Sequence, residues 1–99
     1  MSHPKRRPTH PGAILREDIL PAAGISQTKL AEMLGRSRRS ISLLIHEQKP
    51  VSTDMAHRLA RVFNTTPQFW LNLQQNVDLW DTFERNQAEY QKLKRLLAS

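Results

Sequence analysis

At 99 residues the chain makes one small domain, and with no cysteine it has neither a disulfide scaffold nor a thiolate metal site. Lys and Arg number 15 against 9 Asp and Glu, a formal charge of +6 that favours a polyanionic partner and salt-sensitive association. No apolar run approaches the roughly 18 residues that span a bilayer, and no signal-peptide pattern opens the chain, so a cytoplasmic place is expected.

Residues 1–11 hold three prolines, two histidines and the basic run Lys5-Arg6-Arg7. Such a segment cannot build a core and reads as a flexible basic arm. A first helix of about Ala13–Leu20 follows, with Ile14, Leu15 and Ile19 on its apolar face, and Pro21 is expected to stop it.

Residues 25–45 carry the most information. Ser26 caps a second helix whose Leu30, Ala31 and Leu34 recur at helical spacing, and Gly35 ends it in a left-handed turn. Ser37 caps a third helix with Ile41, Leu44 and Ile45 as its buried stripe. Arg38, Arg39, Ser40, Ser42 and Leu43 are then left on its outer face. An α-helix fits the DNA major groove, and arginine can contact guanine O6 and N7 with two prongs. Two capped helices about a tight turn, the second tipped with arginines, are the layout of a helix-turn-helix.

A polar loop, His46 to Val51, leads to a fourth helix capped by Ser52 or Thr53, with Met55, Leu59, Ala60 and Phe63 inward and Asp54 in its first turn. Thr66 then caps a fifth helix opened by Pro67, with Phe69, Trp70, Leu73 and Val77 as its expected core face. From Asp78 onward the aromatic and leucine residues share a helical face, with Phe83, Tyr90 and Leu97 seven apart. This tail reads as one long helix or a helix broken near Trp80, covered by its own bundle or by a second subunit. The expected fold is all-α: a five-helix bundle of the lambda-repressor type with an amphipathic helical extension. The expected divisions are an arm over 1–11, a DNA-binding domain over 12–77 and a contact tail over 78–99.

The runs His10-Pro-Gly-Ala-Ile-Leu, Ser26-Gln-Thr-Lys-Leu-Ala, Ser37-Arg-Arg-Ser-Ile-Ser, Asp54-Met-Ala-His-Arg-Leu-Ala and Thr66-Pro-Gln-Phe-Trp-Leu-Asn-Leu-Gln74 together resemble the HigA-type antitoxins. These belong to the Xre group of helix-turn-helix proteins, which also holds the lambda-type repressors. The resemblance covers about residues 10–80. It implies a small all-helical homodimer that binds a palindromic operator in double-stranded DNA and represses its own operon. It also implies a second partner, a HigB toxin, which is an mRNA endonuclease of the RelE class.

Carried over by position, the resemblance assigns Gln27 to a phosphate, Arg38 and Arg39 to base edges or phosphates, and Ser40 to the DNA backbone. Ser42 and Leu43 lie one turn further on, with Leu43 available to a thymine methyl. Thr28, Arg36, Ser37 and Lys49 complete the candidate DNA-contact set. Relatives often place Asn-Gly after the third helix, where this chain has His46-Glu47. The loop that carries Lys49 is therefore expected to differ in shape.

Other classes are weaker. His3, His10, His46 and His57 show no metal-ligand spacing. No nucleophile setting and no glycine-rich phosphate loop is present, so neither an enzyme nor a cofactor is expected. RNA readers tend to use aromatic platforms on sheets or loops, whereas these aromatics fall in helical stripes. An inhibitor that masks a basic enzyme through Glu17, Asp18, Asp78, Asp81, Glu84 and Glu89 is the reading from another class. A stand-alone phage- or plasmid-type regulator without a toxin is the third.

Overall fold

The structure, a computed structural model, describes residues 3–97. Five helices account for it. Helix α1 spans residues 11–23 in three joined pieces: Pro11–Ile14, a wide π-helical stretch Leu15–Ile19, and Leu20–Ala23. Then come α2 (Gln27–Leu34), α3 (Arg38–Ile45), α4 (Thr53–Phe63) and α5 (Pro67–Gln91).

The serine and threonine caps form as local chemistry requires. Ser26, Ser37, Ser52 and Thr66 each accept a hydrogen bond from the backbone N–H three residues on, at 3.1 Å in every case. Each satisfies one of the orphan donors that open a helix. Gly35 ends α2 with φ +66°, and the Arg36 N–H reaches back to the Ala31 carbonyl. That is the left-handed turn glycine makes without steric cost.

Pro21 does not stop α1 as expected. Its missing N–H and its ring are incompatible with an uninterrupted α-helical ladder. The π-helical stretch absorbs the mismatch: the Leu20 N–H donates to the Leu15 carbonyl, and Pro21 falls in the first turn of the resumed α-helix. There its missing donor leaves no gap. The helix ends at Gly24, φ +67°.

Helix α1 also starts earlier than Ala13. Pro11 is its first residue, and His10 caps it by accepting the Gly12 N–H on Nδ1 at 2.9 Å. His10 is buried, although its sequence position suggests an unpacked arm. The arm itself lies along α5. Arg7 holds both carboxylate oxygens of Asp81, at 2.8 and 2.9 Å. The His3 ring stacks on Trp80, and the Trp80 indole donates to the Pro4 carbonyl.

The core gathers one face of every helix. Leu15, Leu30, Ile41, Ile45, Leu59 and Trp70 are all fully buried. Each such side chain contributes about 1.5–3 kcal/mol by leaving water. Trp70 fills the inner position of α5, and its indole donates to Thr65 Oγ1 at 2.8 Å. Phe69 was expected beside it in the core. One residue earlier means a turn of about 100° round the helix, so Phe69 lies 44% exposed and meets Trp70 edge-on.

Helix α5 runs unbroken through residues 78 and 80 and bends instead at Asn86, whose φ is −118°. The Asn86 amide donates to the Thr82 carbonyl, so a side chain enters the backbone ladder at the bend. Leu93 and Leu97 lie beyond the helix and are largely exposed. The projecting α5 gives the molecule its extents of 52 × 22 × 22 Å.

Two expectations follow. A Cβ at Gly12 would stand 2.0 Å from the Leu44 carbonyl oxygen, because α1 begins directly against the end of α3. We expect Gly12→Ala to destabilise the protein by about 1–3 kcal/mol, measured by urea unfolding. His10 is held below its usual value of 6.5, chiefly by burial, and a proton on Nδ1 would remove the cap. The unfolded chain therefore takes up this proton first, and stability falls as pH drops through 6.5. Unfolding midpoints between pH 8 and 5.5 should decline more steeply in the native protein than in His10→Asn.

Candidate nucleic-acid interface

Helix α3 lies with Ile41, Leu44 and Ile45 in the core and its opposite edge outward. Arg38 and Arg39 open that edge and are exposed; Ser40, Ser42 and Leu43 follow, half-buried. Neither arginine forms an ion pair among the described residues, although nine such pairs are present elsewhere. The N-terminus of a capped helix adds a partial positive charge beside them. On the neighbouring helix Gln27 is half-buried at the first helical position and Thr28 is exposed. Gln27 and Thr28 thus open α2, Gly35 closes it, and the outer edge of α3 begins three residues after that turn.

Lys49 joins this surface. Its ammonium donates to Ser40 Oγ at 3.0 Å, so the loop folds back along α3. The turn that directs it is made without glycine. Glu47 itself takes the left-handed backbone, φ +62°. The Gln48 N–H donates to the Leu43 carbonyl at 2.8 Å and the Glu47 N–H to Leu44 at 3.0 Å, which closes α3 in a Schellman arrangement. The expected change in loop chemistry therefore leaves a left-handed turn in place. Arg7 and Arg16 hold the Glu47 side chain at 3.1 and 3.3 Å. Burial pushes that carboxyl up, and the hydrogen bonds from Arg7 and Arg16 outweigh it and leave it below the ordinary range.

Arg36 is placed differently from the other candidates. Its guanidinium donates to Asp54 on α4. Asp54 also accepts from Arg58 Nε at 2.8 Å, and Arg58 Nη1 donates to the Leu34 carbonyl at the end of α2. Arg58, then Arg36, hold the Asp54 carboxyl below its usual value. The acidic residues proposed as a docking patch are only partly open, since Asp81 is taken by Arg7 and Glu84 by His3.

Two residues that shape this surface act over long sequence separations. Arg16 caps the other motif helix, donating to the Ile45 carbonyl at 2.6 Å. Gln74 is buried on α5 and accepts the Val51 N–H at 2.9 Å, which fixes the far end of the loop. Its position four residues after Trp70, in an otherwise apolar stripe, is the one sequence feature that marks it. Among the described residues no cluster of His, Asp or Glu could hold a metal ion. Among the described residues no helix is long and apolar enough to cross a membrane.

Two capped helices joined by a glycine turn, the second with its basic end outward, make the layout of a helix-turn-helix. The family model described as helix-turn-helix matches residues 15–70. The chain is 40% identical over 99 residues to antitoxin HigA-1 of Vibrio cholerae serotype O1, covering all of this chain and 93% of that protein. It is 44% identical over 96 residues to the HTH-type transcriptional regulator YbaQ of Escherichia coli K12, covering 97% and 84%. The structure of Pseudomonas aeruginosa antitoxin HigA with the higBA promoter superposes with a TM-score of 0.87 at 39% identity, covering 92% of this chain and all of that one. The chain belongs to the helix-turn-helix family, and within it to the HigA-type antitoxins of the Xre group.

The Ser37 hydroxyl caps the helix that carries Arg38 and Arg39. We expect Ser37→Ala to cost about 1 kcal/mol, seen as a lower urea midpoint with an unchanged slope.

Proposed function

We propose that this protein is a DNA-binding autorepressor that also neutralises a HigB/RelE-like mRNA endonuclease, the antitoxin half of a type II pair. The observation that carries the DNA half is the exposed Arg38 and Arg39 pair at the capped start of α3, without an acidic partner among the described residues. Helix α3 enters the major groove, and Arg38, Arg39, Ser42 and Leu43 meet base edges. Gln27, Thr28, Ser37, Ser40 and Lys49 meet the phosphate backbone, which sets register and adds salt-dependent affinity. The promoter DNA bound to the Pseudomonas relative supports this assignment.

The chain works as a homodimer on a palindromic operator, with half-sites about 34–36 Å apart or a multiple of it. Residues 12–77 form the reading domain, residues 78–99 the contact tail, and residues 1–11 the basic arm. Its place is the cytoplasm, where operator and messenger lie. The antitoxin role rests on the Vibrio relative's name. The regulator name of the Escherichia relative favours a second reading, a regulator without a toxin. A small RelE-like reading frame next to the gene, whose product co-purifies with this chain, separates the two.

Arg38→Ala and Arg39→Ala should each weaken operator binding by about 1–3 kcal/mol where the side chain reads a guanine. Fluorescence anisotropy with a promoter duplex measures this. Native affinity in both variants would reject the groove assignment.

A further inference from the structure

The turn between α2 and α3 is only Gly35, Arg36 and Ser37, and it sets where α3 begins and where Arg38 and Arg39 point. A glycine-containing turn of this length is a poor rigid joint by itself. The structure adds a brace from a third helix. Asp54, in the first turn of α4, accepts from Arg36 in the turn and from Arg58 on its own helix. Arg58 in turn donates to the Leu34 carbonyl at 2.7 Å, and its guanidinium lies 3.2 Å from where a Gly35 Cβ would stand. One carboxylate thus ties the end of α2, the turn and the start of α4 into one body.

We propose that Asp54 is a positioning residue for DNA recognition and that Arg36 is its brace across the turn, not a phosphate ligand. The inference rests on the DNA-reading function proposed above. The three groups are partly or largely exposed, and exposed ion pairs add little to stability. The effect therefore lies in the aim of α3. A helix whose base-reading side chains lose their fixed approach keeps its charge and its non-specific affinity but loses discrimination.

The test compares the native chain, Asp54→Asn and Arg36→Gln by fluorescence anisotropy. The probes are a duplex from the gene's own promoter and a scrambled duplex of the same length, over a range of salt concentrations. Thermal melts confirm that all three are folded at the assay temperature. Both variants should bind the scrambled duplex as well as the native chain does, or more tightly. Both should bind the promoter about five- to a hundred-fold more weakly, the worth of one base contact. The salt slope on the promoter should be unchanged. A slope reduced by about one in Arg36→Gln, with the promoter preference intact, would make Arg36 a phosphate ligand and overturn the inference. Native promoter preference in both variants would overturn it too. A native chain that does not prefer the promoter would overturn the DNA-reading function itself, and this inference with it.

Discussion

Each helix of the motif ends against an arginine that belongs to another helix. Arg58 of α4 donates to the Leu34 carbonyl that closes α2, and Arg16 of α1 donates to the Ile45 carbonyl that closes α3. The last carbonyls of a helix have no partner within it, and a cation there meets the negative end of the dipole. Both guanidiniums are held at their other side by a carboxylate, Asp54 for Arg58 and Glu47 for Arg16. The relative setting of α2 and α3 is thus fixed from outside the turn that joins them. Apolar packing alone holds helices near one another; directional bonds at both C-termini add a register to that packing.

The same contacts distribute charge. Asp54 serves two arginines, and Glu47 serves two more. Asp54 and Glu47 are therefore engaged as braces, and neither pairs with Arg38 or Arg39 on the basic edge of α3. Asp81 and Glu84 stand on α5, where Arg7 and His3 cover them. What remains outward on α3 is Arg38 and Arg39, beside a helix N-terminus of the same sign. A positive surface so arranged draws phosphates at long range and places two-pronged donors at short range.

Where a residue acts on its own neighbours, the sequence was a sufficient guide. The caps at Ser26, Ser37, Ser52 and Thr66, the glycine turn at Gly35 and the apolar stripes of α2, α3 and α4 are all short-range patterns, and all are present. The exposure of Arg38 and Arg39 was legible for the same reason, because three buried positions fix which edge of a helix turns outward; Ser40, Ser42 and Leu43 are half-buried. Some misses have the opposite cause, and others are local choices that composition does not reveal. Arg16 and Arg58 reach carbonyls 29 and 24 residues away, so nothing beside them announces the contact. Pro21 is a breaker by local rules, and only a wide turn five residues long lets α1 continue past it. Asn86 bends α5 through one side-chain bond, a choice that a polar residue in a polar stretch does not reveal. Phe69 and Trp70 are adjacent aromatics, and hydrophobicity alone does not say which faces inward.

Glu47 shows how such long-range contacts can set backbone geometry. A left-handed conformation costs a residue with a Cβ about 1–2 kcal/mol, and glycine avoids that cost. Glycine, however, would remove the carboxylate that Arg7 and Arg16 share beside the end of α3. With glutamate the same turn carries an acid to the place where the two guanidiniums converge. Arg7 extends the contact to Asp81, so the arm, the loop after α3 and the flank of α5 meet around one cation. The loop thus has its shape from its own backbone and its position from three distant segments, and it is this loop that brings Lys49 back to Ser40 on the reading helix.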